Sequence, residues 1–167
     1  PAPGVRSPLE AQRLSFGYRE PALHDVSLSV GSGECCALLG ANGAGKSTLL
    51  CLLGGLLPLQ RGEVAVGGRR LGELSPNERA RSIGYLAQAT PRAEGFAVHE
   101  VVLMGLYSLL PARGWESTTE WHAVQRALGR VGVAHLFHRA FGELSGGEQR
   151  RVLLARALVA EPSLLLL

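Results

Sequence analysis

The stretch GANGAGKST at residues 40–48 constrains this chain more than any other. Gly40, Gly45, Lys46 and Ser47 occupy every fixed position of the phosphate-loop pattern G-x-x-x-x-G-K-S/T. Before it, residues 35–39 form a short apolar run of the kind that makes a buried parallel strand. After it, residues 47–53 contain no breaker until Gly54 and are expected to be helical. Strand, glycine loop and helix together would form a cradle for a triphosphate. Gly43 and Gly45 carry no Cβ, so backbone N–H groups can turn inward. The helix start adds free N–H groups and a partial positive charge. Lys46 suits the β- and γ-phosphates as a compact point charge, and the Ser47 hydroxyl suits Mg²⁺.

Composition supports the same reading. Of 17 basic side chains, Lys46 is the one lysine. Arginine is no substitute there, because its wide planar fork does not fit inside a tight backbone loop. A net charge of +3, with the arginines scattered rather than blocked, does not signal a nucleic-acid surface. No apolar run approaches the roughly 18 residues of a membrane span. The first residues lack the charged-then-apolar pattern of a signal peptide. Cys35, Cys36 and Cys51 all sit in apolar segments and are expected to be buried thiols in a reducing, cytoplasmic compartment.

Along the chain, residues 9–18 read as a first strand. Residues 25–30 read as a second, with Val26, Leu28 and Val30 on one face. Residues 62–70, GEVAVGGRR, read as a hairpin turning at Gly67-Gly68. Ser75, Pro76 and Glu78 start a helix with a capping box. Residues 83–87 read as a buried strand ending at Gln88, and residues 98–110 as an apolar helix. A second capping box, Ser117 to Glu120, opens a helix with Trp121, Val124, Leu128 and Val131 on one face, a core stripe. His135 and His138 share a helical spacing but lack the further ligands a metal needs. This stretch reads as a helical insertion in an α/β core. LSGGE follows at residues 144–148, opening a helix over residues 149–160. Ser145 and Glu148 again have capping-box spacing. Gly146 and Gly147 are poor stabilisers there, at about 1 kcal/mol each against alanine. They make sense if an anion must approach that helix start closely. Pro162 ends the helix, and residues 163–167 have a buried-strand pattern.

The order of these features resembles the nucleotide-binding domain of an ABC transporter, over essentially the whole chain. The resemblance implies an α/β fold, a P-loop NTPase core with an antiparallel β subdomain and a helical insertion. It implies one ATP-binding domain, with its core at residues 1–88 and 144–167 and a helical subdomain at 89–143. Tyr18 matches the aromatic residue that stacks on adenine. Gly40, Ala41, Asn42, Gly43, Ala44, Gly45, Lys46, Ser47 and Thr48 match the Walker A motif. Gln88 matches the glutamine that ligates Mg²⁺ beside Ser47 and senses the membrane subunit. Ser145, Gly146, Gly147 and Glu148 match the signature that contacts ATP held by an opposite subunit, with Glu148 where glutamine is common. Lys46, Gln88 and Ser145 are thus the expected catalytic contributors, with ATP and Mg²⁺ as ligands. A second ATPase subunit and membrane permease subunits are the implied partners. The implied place is the inner face of the cell membrane, and no nucleic acid is expected. The segments at residues 74–81 and 98–105 are similar to importers of metal ions, siderophores, haem or cobalamin. A non-transport ABC ATPase acting on ribosomes or DNA is the alternative, as is a nucleotide-binding fragment without activity. By the resemblance, the Walker B aspartate, catalytic glutamate and switch histidine follow the leucine run, beyond Leu167. The chain as written is therefore expected not to turn over ATP.

Overall fold

The computed structural model describes residues 8–87, 93–109 and 118–167. The chain divides into two compact units, one built from residues up to Ser82 together with Leu166 and the other from Ile83–Leu165 and Leu167.

The first unit is organised by an antiparallel sheet of order β2-β1-β3-β4. Strand β1 (Leu9–Gly17) buries Leu9 and Ala11, then Leu14 and Phe16. The inward phase slips by one residue between Ala11 and Leu14, which a strand tolerates only at a bulge. Arg13 absorbs the extra residue at φ +50°, and Asp25 does the same in β2 (Pro21–Val30). Two hydroxyls replace the disrupted ladder. Arg13 N–H donates to Ser27 Oγ at 2.9 Å, and Asp25 N–H to Ser15 Oγ at 3.0 Å. Val26, Leu28 and Val30 share the more buried face of β2, as their alternation predicts. Helix α1 (Lys46–Leu53) follows the glycine loop and buries Leu49, Leu52 and Leu53. Strand β3 (Arg61–Val66) turns at Gly67-Gly68, both at positive φ, into the short β4 (Arg69–Arg70). Helix α2 (Pro76–Ser82) starts at the expected box, where Ser75 N–H and Oγ both donate to Glu78 Oε2 at 2.8 Å. Arg69 donates to the other oxygen of Glu78 at 2.6 Å.

Residues 35–39 depart from expectation. They form no strand, Leu39 is 92% exposed, and Cys35 and Cys36 are exposed rather than buried. Cys51 is only half-buried. An apolar run becomes a strand only when neighbours supply its ladder of hydrogen bonds. Among the described residues no strand of either sheet pairs with this run.

In the second unit, β5 (Ile83–Tyr85) pairs with β6 (Leu164–Leu166). Both are shorter than the apolar runs that contain them. The core is helical. Val98, Val101 and Val102 of α3 (Val98–Leu103), Val124 and Leu128 of α4 (Thr118–Arg130), and Val152 and Ala155 of α5 (Gly146–Leu158) are fully buried together. Each such valine or leucine stabilises the unit by roughly 1.5–3 kcal/mol. The α4 stripe is therefore packing, with Trp121 and Val131 half-buried at its edges. Its proposed cap, Ser117, lies outside the described residues. The helix expected over residues 98–110 runs as α-helix only to Leu103 and then tightens into 3-10 turns over Met104–Leu109. There Gly105 lies directly against the Arg156 carbonyl of α5, an approach that any Cβ would block. His138 stands edge-on to His99 and Phe137, and His99 stacks on Phe137 at 4.8 Å. His135 is exposed in a 3-10 turn (Ala134–Leu136).

Candidate functional site

The glycine loop is an open, left-handed path. Gly43 and Gly45 both sit at φ +83°, a region that residues with a Cβ avoid. Ala44 N–H closes a turn on Ala41 O at 3.2 Å, and Leu49 N–H starts the helix ladder by donating to Gly45 O at 2.8 Å. Helix α1 therefore begins at the loop's last glycine, and the N–H groups of its first turn have no carbonyl of a preceding turn to meet. No side chain caps that start and no acidic residue lies in its first turn, so nothing on the helix neutralises its positive end. Lys46 folds back over the loop and donates from Nζ to Gly40 O at 2.8 Å and to Ala41 O at 2.7 Å. Ser47 is exposed at the same end of the helix, and Thr48 is half-buried behind it. Ala41, Asn42 and Ala44 are exposed on the rim.

The loop is seated against the sheet. A Cβ on Gly45 would stand 2.6 Å from the Ala22 carbonyl and 2.8 Å from Leu23 Cδ2. This contact sets the loop beside the β1–β2 connection that carries Tyr18. The Tyr18 ring is 69% exposed and held edge-on by the buried Phe16, with centroids 5.0 Å apart. One residue that no local pattern marks helps to fix it. Gln60 donates from Nε2 to Gly17 O at 2.9 Å and accepts from Gly17 N–H at 3.0 Å, clamping the end of β1 from 43 residues away. A separation that long leaves no local signal.

The second set of expected residues lies in the second unit, at the start of α5. Ser145 is its N-cap, at φ −61° and ψ 154°, and closes a full capping box with Glu148. Ser145 Oγ and N–H donate to Glu148 Oε2 at 2.6 and 2.8 Å. These two bonds, the hydroxyl's first, hold the Glu148 carboxyl below its ordinary range. Gly146 and Gly147 are exposed, have ordinary helical backbones, and among the described residues nothing lies within 4 Å of where a Cβ would sit. The packing of the described residues therefore gives no reason for glycine at either position. Arg150, one turn on, donates to the Ala87 carbonyl at 3.2 Å, immediately before Gln88. Gln88 itself lies outside the described residues.

The family model described as "ABC transporter" matches residues 23–167. The zinc transport system ATP-binding protein TroB of Treponema pallidum is 40% identical over 162 residues, covering 93% of this chain and 58% of that protein. The lipoprotein-releasing system ATP-binding protein LolD of Coxiella burnetii is 42% identical, covering 92% of this chain and 69% of its own length. Among solved structures, a nucleotide-free ATP-binding cassette from an ABC transporter superposes with a TM-score of 0.82 at 27% identity, over 96% of this chain and 68% of that one. The chain spans 36 to 61% of the length of the curated relatives it matches first.

Proposed function

Because this chain belongs to the ABC transporter family, we propose that it is the ATP-binding part of a transport ATPase whose whole form couples ATP hydrolysis to movement of a cargo across a membrane. The α/β P-loop fold with an antiparallel β part and a helical part is that of ABC ATPase domains. The observation that carries the reading is the loop itself. Its two left-handed glycines, the uncapped positive end of α1 and the Lys46 ammonium converge on one place. That arrangement recognises a chain of phosphates and little else.

In this reading the Lys46 ammonium exchanges the Gly40 and Ala41 carbonyls for β- and γ-phosphate oxygens, and Tyr18 stacks on the adenine. Mg²⁺ fits the donor set, since it takes one or two protein oxygens beside phosphates and waters, and Ser47 offers one in the right place. Bound there, it would neutralise charge between the β- and γ-oxygens. Gln88 is proposed as its second protein ligand. Ser145, Gly146, Gly147 and Glu148 are proposed to meet the ATP of a second subunit. Support comes from the two glycines that the packing of the described residues does not require. The Ser145 hydroxyl, which donates to Glu148, would have to turn to reach a phosphate.

Permease subunits at the inner membrane face belong to the same proposal. Among the described residues no helix is long and apolar enough to cross a membrane itself. So does the division into a core (residues 1–88 and 144–167) and a helical part (89–143). Metal ions or metal chelates are the proposed cargo, with the zinc transport relative as support.

The test is titration of a fluorescent ATP analogue with Mg²⁺ onto the chain and its Lys46→Ala variant. The variant should bind more weakly by a few kcal/mol with an unchanged fold, since the ammonium contributes charge-assisted bonds at a surface loop. Equal affinities would remove the phosphate role.

A further inference from the structure

One cation of the first unit is folded inward rather than left on the surface. Arg79, on α2, donates from Nη1 to Gly55 O at 3.2 Å and from Nη2 to Leu74 O at 3.4 Å. Its Nε is buried without a hydrogen-bond partner among the described residues. A guanidinium at the surface would satisfy every donor with water, so this placement has a cost that some contact must offset. Gly55 is shaped to receive it. It sits at φ +68°, and a Cβ there would stand 2.8 Å from Nη1 and 3.1 Å from Cδ of Arg79.

What the guanidinium grips is the exit of α1. The chain leaves that helix through a series of backbone bonds. Gly54 N–H donates to Leu50 O, Gly55 N–H to Leu52 O and Leu56 N–H to Cys51 O. The Gly55 carbonyl is then taken by Arg79. Helix α1 has 8 residues, so its two ends lie roughly 12 Å apart at about 1.5 Å per residue. The far end is the glycine loop. Leu49, Leu52 and Leu53 are all buried, so this two-turn helix is packed along its length. Holding its exit therefore fixes where the N–H groups of its first turn aim. The charge has the favourable sign too, a cation at the negative end of the helix dipole. Arg79 acts from a firm base, because its neighbour Glu78 ties the start of α2 to Ser75 and Arg69.

We propose that Arg79 is a positioning residue for the phosphate loop, setting the loop's aim through α1 and thereby its affinity for a nucleotide triphosphate. The affinity part rests on the nucleotide reading above; the positioning part does not. The experiment uses the full chain with Arg79→Gln, Arg79→Lys and, as an independent perturbation, Gly55→Ala. Two quantities are measured: amide hydrogen exchange without nucleotide, and binding of ATP with Mg²⁺. In Arg79→Gln and Gly55→Ala, the Leu49 amide, bonded to Gly45 O, should exchange about tenfold faster while β1 amides keep their rates, a local opening. ATP affinity should fall about fivefold or more, the lower range of coupling between sites. Arg79→Lys, which keeps a charge and one donor, should fall between. An unchanged Leu49 rate, or a rise shared equally by the β1 amides, would show that Arg79 only packs. If the wild-type chain binds no ATP yet Leu49 responds as expected, the nucleotide reading fails and the positioning role stands.

Discussion

Gly43 and Gly45 offer a controlled comparison, because both sit at φ +83° yet differ in what surrounds them. Alanine at either position meets the same left-handed strain, roughly 1–2 kcal/mol. It also gains the same benefit from a less flexible unfolded chain, roughly 0.4–1 kcal/mol. Those effects cancel in the difference between the two variants. A Cβ on residue 43 would meet nothing within 4 Å. A Cβ on residue 45 would stand 2.6 Å from the Ala22 carbonyl and 2.8 Å from Leu23 Cδ2. The leucine tail can rotate away, but the carbonyl belongs to β2 and can move only with the strand. Such overpacking costs about 1–3 kcal/mol. Gly45→Ala should therefore be less stable than Gly43→Ala by that amount, a drop of about 2–4 °C in Tm per kcal/mol for a chain of this size. Urea denaturation followed by far-UV circular dichroism would measure it, provided the two slopes agree. Equal midpoints, or a worse Gly43→Ala, would mean that the loop is not seated on β2 as described.

Two further outcomes follow from the same unit. Glu78 is held at a pKa of about 2 against an ordinary 4.5, first by Arg69 and then by Ser75, so its contribution is complete well above pH 4.5 and is lost as pH falls through about 2; the stability gap between the wild type and Glu78→Gln, read as urea midpoints, should be wide at pH 6 and much narrower at pH 2.5, and a gap independent of pH would deny the charge a role. Tyr18→Ala should lower affinity for ATP while thermal stability without nucleotide stays near wild type, because the ring is largely exposed; a lower melting temperature with an unchanged ATP response would make Tyr18 a cover for Phe16 instead.

What could be read from the chain was what its neighbours in sequence decide. The glycine loop, the boxes at Ser75 and Ser145, and the Gly67-Gly68 hairpin are each complete within a few residues, and each forms where its pattern stands. The α4 stripe is local too, with Val124 and Leu128 buried, since a helix needs no distant partner to present a face. Features that depend on distant residues were not legible. Residues 35–39 have a strand's composition, but pairing depends on neighbours that composition does not specify. The β1 bulge is invisible in a loosely alternating run, because Ser15 and Ser27 replace ladder bonds only once both strands are in place. The same holds for Gln60 on Gly17 and Arg79 on Gly55, whose partners lie 43 and 24 residues away. For the candidate site, the donors were legible and their settings were not.

The apolar run before the phosphate loop has a practical use as a pair of chemical reporters. Cys35 and Cys36 are adjacent and exposed. In a strand successive side chains point to opposite faces, so pairing of this segment would set the two thiols on different sides. A strand that laddered onto residues 35–39, with one face then packed, would slow alkylation of one thiol more than the other. Variants retaining only one of the two would then tell by maleimide labelling which side of the run is covered in any assembly the chain enters.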